Sequence, residues 1–221
     1  SPRTGLMMST HGLIAIGSNL GDRLANLRAG VTGLVAADGV DVVAVSRLYE
    51  TAPVGGPDDQ GPYLNAALTV TTTLDAAELL ALLHRIEAGR ERERTVHWGP
   101  RTLDLDLLVH GDLVSDDPAL QVPHPRQHER RFVLVPVCDV APDLVHPRLG
   151  PTMRALLDDL PVEQGDLKND ILGRLLQRFI DGPDPMANLE AGIPERVENG
   201  VGNCTDALSE LRFEQDHQVN V

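Results

Sequence analysis

The stretch Leu103-Asp104-Leu105-Asp106-Leu107 alternates strictly between apolar and acidic residues, and it constrains the fold more than any other part of the chain. Side chains two apart on a strand share a face, so the segment reads as a half-buried strand. Leu103, Leu105 and Leu107 then go to a core. Asp104 and Asp106 stand side by side on the other face, about 7 Å apart at the backbone. Two carboxylates held this way repel each other unless a cation lies between them. Magnesium, a hard ion with oxygen ligands, suits the position, because it binds through one or two carboxylates together with substrate phosphates. The plainer alternative is a solvated polar face on an edge strand. The adjoining Trp98-Gly99-Pro100-Arg101 weighs against it.

Elements of both kinds surround this strand. Residues 13–17 form a short apolar run, and Ser18-Asn19-Leu20-Gly21-Asp22 breaks it and can cap a helix. Leu24, Leu27, Val31, Leu34 and Val35 follow at helical spacing, which predicts a helix over 22–37. Val40 to Thr51 is rich in β-branched residues and reads as a strand, and 64–73 as another. The Gly/Pro cluster between Pro53 and Pro62 is a loop. Asp75 with Glu78 resembles a capping box before Leu79, Leu82, Leu83 and Ile86. Residues 89–97 are charged and unpatterned, hence a second loop. A helix is possible over 129–140, although Pro136 interrupts it, and a short one over 152–160. This interleaving suggests an α+β sandwich rather than a doubly wound parallel sheet.

The 221 residues suffice for one sizeable domain. The chain divides into an N-terminal extension (1–11), expected to be disordered, a main domain (12–160) and an acidic extension (161–221). That last part holds twelve Asp or Glu against five Lys or Arg. Within it, 171–180 has helical apolar spacing, and the remainder is Gly-, Asn- and Glu-rich. A net charge of −14 argues against a nonspecific nucleic-acid or membrane-surface binder, since both need a basic footprint. Cys138 and Cys204 form neither a zinc spacing nor a disulfide framework, which fits a reducing, cytoplasmic compartment.

Against that acidic background the clustered cations are informative. Arg90, Arg92 and Arg94 precede the aspartate strand and Arg101 lies at its start. Arg126, Arg130 and Arg131 follow later, near His124. Guanidinium groups match phosphate oxygens bidentately, although charge balance with Glu91, Glu93 and Glu129 is an alternative. Asn65, after the Gly/Pro loop, offers both a donor and an acceptor to the amide-like edge of a flat heterocycle. Tyr63 and Phe132 could supply stacking surfaces.

Taken together, these residues resemble the hydroxymethyl-dihydropterin pyrophosphokinase family over about residues 12–160. The resemblance rests on Gly17-Ser18-Asn19-Leu20-Gly21, Tyr63-Leu64-Asn65-Ala66, Arg85-Ile86-Glu87 and Gly89-Arg90-Glu91-Arg92. It rests further on Trp98-Gly99-Pro100-Arg101-Thr102-Leu103-Asp104-Leu105-Asp106, Val122-Pro123-His124-Pro125 and Arg130-Arg131-Phe132. It implies a ferredoxin-like α/β sandwich with a mainly antiparallel sheet. It also implies transfer of pyrophosphate from ATP to 6-hydroxymethyl-7,8-dihydropterin in folate biosynthesis, giving AMP.

Carried over to this chain, the resemblance makes Asp104 and Asp106 the ligands of two magnesium ions. His84, Glu87, Arg90, Arg92, Trp98, Arg101, His124 and Arg130 fall at ATP positions, and Arg90, Arg92 and Arg101 act on the migrating group. Gly17, Ser18, Thr51, Pro53, Val54, Tyr63, Asn65 and Phe132 fall around the pterin. The spacing leaves open which of Arg90, Arg92 and Arg94 meets each phosphate. The expected partners are the two small-molecule substrates, with no nucleic acid and no membrane, and the expected state is a monomer. Two rivals stand beside this reading. One is another metal-dependent phosphotransferase, which would need a different acceptor pocket. The other is an inactive binding module, which intact Asp104, Asp106 and Arg101 disfavour.

Overall fold

A nine-residue strand, β1 (Thr10–Ser18), runs through the middle of the sheet and is buried on both faces. That double burial is why its sequence is a near-continuous apolar run rather than an alternation. The computed structural model describes residues 9–52, 61–90 and 102–161, and the backbone of 168–170. Pro53, Val54, Arg92, Arg94, Trp98, Arg101 and the helix expected over 171–180 lie outside the described residues.

The elements follow in the order α1 (Arg23–Val35), β2 (Val40–Val45), β3 (Leu48–Thr51), β4 (Tyr63–Thr72), α2 (Ala76–Ala88) and β5 (Asp104–His110). The sheet order is β5-β1-β4-β3, with β2 also paired to β4, and all these pairs are antiparallel. This is the expected α+β, ferredoxin-like sandwich. A short hairpin, β6 (Ser115–Asp117) and β7 (Leu120–Val122), leads to a 3-10 turn at Gln127–Glu129. Then come α3 (Arg131–Val140) and α4 (Met153–Asp158). A last strand, β8 (Lys168–Asp170), pairs antiparallel with β3. The chain divides into two compact units, Ser1–Gly182 and Pro183–Val221. Every described residue belongs to the first.

Both long helices start where local chemistry tells them to. The Asp22 carboxylate accepts the Ala25 N–H at 2.9 Å. At α2, Asp75 accepts the Glu78 N–H at 2.8 Å and Glu78 accepts the Asp75 N–H at 2.9 Å, a complete capping box. The two helices cover one face of the sheet. Leu27, Val31, Leu34, Leu79 and Leu83 pack there against Ile14, Ile16, Leu68, Leu105 and Leu107. The other face carries a second core, where Val133, Leu134, Val137, Met153 and Leu157 meet Leu13, Ala67, Leu108 and Val109.

Thr10 and His11, expected in a disordered extension, begin β1 because they pair with Thr72 and Thr71 of β4, and three further local features depart from the sequence reading. The Val40–Thr51 run is two strands, because the Ser46 hydroxyl accepts the Ala67 N–H at 2.8 Å in place of a backbone partner. Helix α3 continues through Pro136, which cannot donate to the carbonyl four residues back. Burial of Val133, Leu134, Val137 and Cys138 around it compensates. In β5, Ile14 faces Leu107 and Leu13 faces Val109, so Leu108 is a bulge residue.

Candidate active site

Directly opposed residues in antiparallel strands share a face, and the register aligns one row of residues across four strands. Asp104 faces Gly17, Gly17 faces Asn65, and Asn65 faces Tyr49. The next row is Asp106, Ala15 and Ala67. These side chains lie on the α3 face of the sheet, as the 2.8 Å hydrogen bond from Tyr49 Oη to Asp139 on α3 confirms. Gly17, Ala15 and Ala67 leave a shallow floor between taller neighbours. A Cβ at position 17 would stand 3.0 Å from Asn65 Oδ1, so the glycine permits the amide to lie across β1.

At one end of the floor, Asn65 Nδ2 donates to Thr51 Oγ1 at 2.8 Å, and both residues are buried. Tyr63 pairs with Thr51 in the β3–β4 ladder. Its ring edge lies 4.0 Å from the Cβ position of residue 17. Phe132, in the first turn of α3, is half-buried against the second core, with the Arg130 guanidinium 5.7 Å from its ring centroid.

The other end carries the charges. Asp104 and Asp106 are half-buried, while Leu103, Leu105 and Leu107 enter the first core. The Leu108 carbonyl, exposed by the bulge, accepts the His124 N–H at 2.9 Å and Gln127 Nε2 at 3.3 Å. These bonds hold the segment with His124, Arg126 and Arg130 beside the aspartate strand. Burial pushes the His124 imidazole below its ordinary value and Arg130 adds to this, while Asp104 opposes it. Burial and Arg126 lower the Arg130 guanidinium, with Asp106 and Asp104 opposing. Arg126 and Arg130 therefore form a cationic wall beside a carboxylate pair, a suitable frame for a polyphosphate with metal.

Asp104 and Asp106 supply hard oxygen donors from one face of a rigid strand, which fits magnesium. Among the described residues no group of three or more His, Cys, Asp or Glu side chains gathers as a metal site. Two carboxylates suffice where phosphates complete the shell.

Not every residue named from the sequence joins this floor. Ser18 is fully buried and turns to α1, where Asn26 Nδ2 lies 3.4 Å from its hydroxyl. Glu87 is 5% exposed and accepts the Leu105 N–H at 2.7 Å, between the two aspartates in sequence. His84, one turn earlier on α2, is exposed. Arg90 lies just past α2, also exposed, with Nη2 3.4 Å from the Ala25 carbonyl. The sequence reading missed the Arg47–Asp139 pair and Gln127. Tyr49 drew attention only as a scarce aromatic. Its position two residues before Thr51 on a strand already places both on one face.

Residues 13–142 match the family model described as 7,8-dihydro-6-hydroxymethylpterin-pyrophosphokinase. The chain is 38% identical over 158 residues to a 2-amino-4-hydroxy-6-hydroxymethyldihydropteridine pyrophosphokinase of Synechocystis, covering 71% of this chain and 80% of that one. It is 45% identical over 133 residues to the Bacillus subtilis protein of the same name, covering 60% and 79%. A crystal structure of HPPK-DHPS from Plasmodium falciparum shares the fold with a TM-score of 0.53 at 16% identity, covering 70% of this chain and 45% of that one. The match over more than half its length, with relatives well above 30% identity, shows that the chain belongs to the 7,8-dihydro-6-hydroxymethylpterin-pyrophosphokinase family.

Proposed function

We propose that this floor is where the chain carries out its family's reaction, moving the β,γ-pyrophosphate of ATP onto 6-hydroxymethyl-7,8-dihydropterin in folate biosynthesis. The row Asn65–Gly17–Asp104 carries the reading. It sets an amide able to pair with a heterocycle edge and a carboxylate able to hold metal on one face, two strands apart. A pterin against Asn65, Thr51, Tyr63 and Phe132 would point its hydroxymethyl group along the floor towards Asp104 and Asp106. Pro53 and Val54 would complete that pocket.

The pterin hydroxyl oxygen attacks the β-phosphorus of ATP as its proton passes to solvent, the bond from that phosphorus to the α,β-bridging oxygen breaks, and AMP leaves with the bond's electrons. The protein's share is positioning and charge neutralisation. His124 and Arg130 face the phosphates from the wall, and Arg90, Arg92 and Arg101 would hold the migrating group. Trp98 and His84 would border the nucleotide. Glu87 serves the same site through the Leu105 N–H, fixing the strand that carries both aspartates. Gly17 and Ser18 contribute mainly through backbone and close approach. Asp104 and Asp106 would hold the magnesium, two ions in this reading, and bound magnesium supplies charge neutralisation on the phosphate oxygens. The chain would act as a monomer in the cytoplasm, where ATP is at hand and the buried Cys138 thiol stays reduced. Among the described residues no helix is long and apolar enough to cross a membrane.

The deciding assay follows AMP release from ATP with and without the pterin alcohol and magnesium. Release that needs both supports the reading. Release indifferent to the pterin, or none with both present, overturns it.

A further inference from the structure

Helix α3 is tied to the sheet through its last turn, beside the Asn65 end of the floor. Asp139 Oδ2 accepts Tyr49 Oη at 2.8 Å, Arg47 Nε at 3.0 Å and the Arg47 N–H at 3.2 Å, and Arg47 Nη2 donates to Oδ1. The Asp139 side chain is 17% exposed and Tyr49 is 4% exposed. Burial and the bond to Asp139 both push the Tyr49 phenol well above its ordinary value, so it stays a donor. One carboxylate thus takes four hydrogen bonds from β3 and the residue just before it. The Arg47 side chain is half exposed, so its bonds are those of a surface ion pair, and the part-buried bond from Tyr49 carries most of the tie.

Two geometric facts give this tie a consequence at the pterin end. Asp139 lies seven residues after Phe132, two helical turns, so the two fall within about 20° of the same side of α3. Fixing Asp139 fixes the rotation of the helix about its own axis, and with it the direction of the Phe132 ring. Pro136 lies between them and lacks the N–H that would close onto the Phe132 carbonyl. The intervening turn is therefore held one bond short, and its orientation depends more on the anchors at either end. On the sheet side, Tyr49 is directly opposite Asn65 and two residues before Thr51. The anchor therefore ties the strand that orders the Asn65 amide to the helix that carries the Phe132 ring.

We propose that Asp139, with Tyr49 and Arg47, acts as a set of positioning residues that fix the gap between Phe132 and the Thr51–Asn65 pair. They would thereby set the enzyme's affinity for its flat heterocyclic substrate. The inference rests on the pterin pocket proposed above. On the ATP side only Arg130, the N-cap of α3, is continuous with the anchored helix. His124 and Gln127 hang from the Leu108 carbonyl, Arg130 donates its N–H to the Gln127 carbonyl, and the aspartates belong to β5.

The test compares full-length wild type with Tyr49→Phe, Asp139→Asn and the double variant. Calorimetric Kd for the pterin alcohol and for an ATP analogue with magnesium is measured beside KM, kcat and Tm. Tyr49→Phe removes one hydroxyl and keeps the buried ring, so it is the variant that retains the fold. It should weaken pterin binding about fivefold, the equivalent of one hydrogen bond of about 1 kcal/mol, and change ATP binding less than twofold. Asp139→Asn should do more, and the double variant should be no worse than Asp139→Asn alone, because both act through one bridge. KM for the pterin should rise while kcat at saturation holds. Equal losses for both ligands, additive effects, or a lower Tm with unchanged pterin affinity would overturn the proposal. A wild type that binds ATP but not the pterin would instead overturn the functional reading, and this inference with it.

Discussion

Asn65 Nδ2 donates to Thr51 Oγ1 across the β3–β4 pair although the two are diagonal neighbours, Asn65 standing opposite Tyr49 and Thr51 opposite Tyr63. The bond uses one amide proton and orients the rest of the group over Gly17. Replacing Asn65 with Ala removes the proposed heterocycle contact and leaves the Thr51 hydroxyl without its donor. Pterin affinity should fall by about 1–3 kcal/mol, the cost of an unpaired buried polar group. ATP affinity should change little. Thr51→Val should give a smaller loss in the same direction. Calorimetry with each ligand separately checks this, and equal losses for both would make Asn65 a structural residue only.

Asp104→Ala and Asp106→Ala should each lower turnover by about 10²–10³-fold or more, the scale seen when a preorganised charge-stabilising group is removed. The fold should survive. Both aspartates are half-buried at the surface of the strand, and Leu103, Leu105 and Leu107 keep their places in the core. Circular dichroism and Tm test the second half, and AMP release tests the first. Near-normal turnover in either variant would remove that residue from metal binding.

Much of this arrangement is legible from local patterns. Alternation in 103–107 gives the aspartate strand, and Asp75 with Glu78 gives the start of α2. The double burial of β1 explains its apolar run. What escapes are features decided by a distant partner. Nothing in Val45-Ser46-Arg47-Leu48 announces that the Ser46 hydroxyl replaces a backbone acceptor, because the donor is Ala67 on another strand. The bulge at Leu108 is equally silent in an unbroken Leu-Leu-Val run, yet it frees the carbonyl that seats His124. Ser18 shows what strand parity does decide. Its neighbour Gly17 lies on the floor, and strand parity alone sends Ser18 to the other face.

Glu87 offers a test of strand support apart from chemistry. Its carboxylate is buried and accepts the Leu105 N–H on the outer edge of β5. Glu87→Ala leaves that N–H without its charged acceptor and should destabilise the protein by about 1.5–3 kcal/mol. Glu87→Gln keeps a carbonyl oxygen for the same N–H and should lose less than about 1 kcal/mol. Urea unfolding of both variants measures the difference. If Glu87 also reached ATP, Glu87→Gln would weaken nucleotide binding out of proportion to its stability loss. Unchanged ATP affinity in Glu87→Gln would confine the residue to supporting β5.

Buried His146 and half-buried His124 set an acid limit on stability. Burial lowers His146 first, with His128 adding to it, and burial followed by Arg130 lowers His124. His146 Nδ1 accepts the N–H groups of Arg148 and Leu149 at 3.2 Å each, bonds that protonation at that nitrogen would break. Both folded values lie below the unfolded value of about 6.5, so the unfolded chain binds protons first as pH falls. The stabilisation is therefore fully present above about pH 6.5 and is lost as pH drops towards and through the folded values. Unfolding free energy should decline on the acid side in the free enzyme. His146→Gln should flatten that decline without altering ATP binding. ATP should act oppositely at His124, since phosphate charges favour the imidazolium and raise its pKa. ATP binding near pH 6 should then take up protons, measurable as a dependence of binding enthalpy on buffer ionisation. His124→Gln should abolish most of this uptake. Uptake that persists unchanged in His124→Gln would place His124 away from the phosphates.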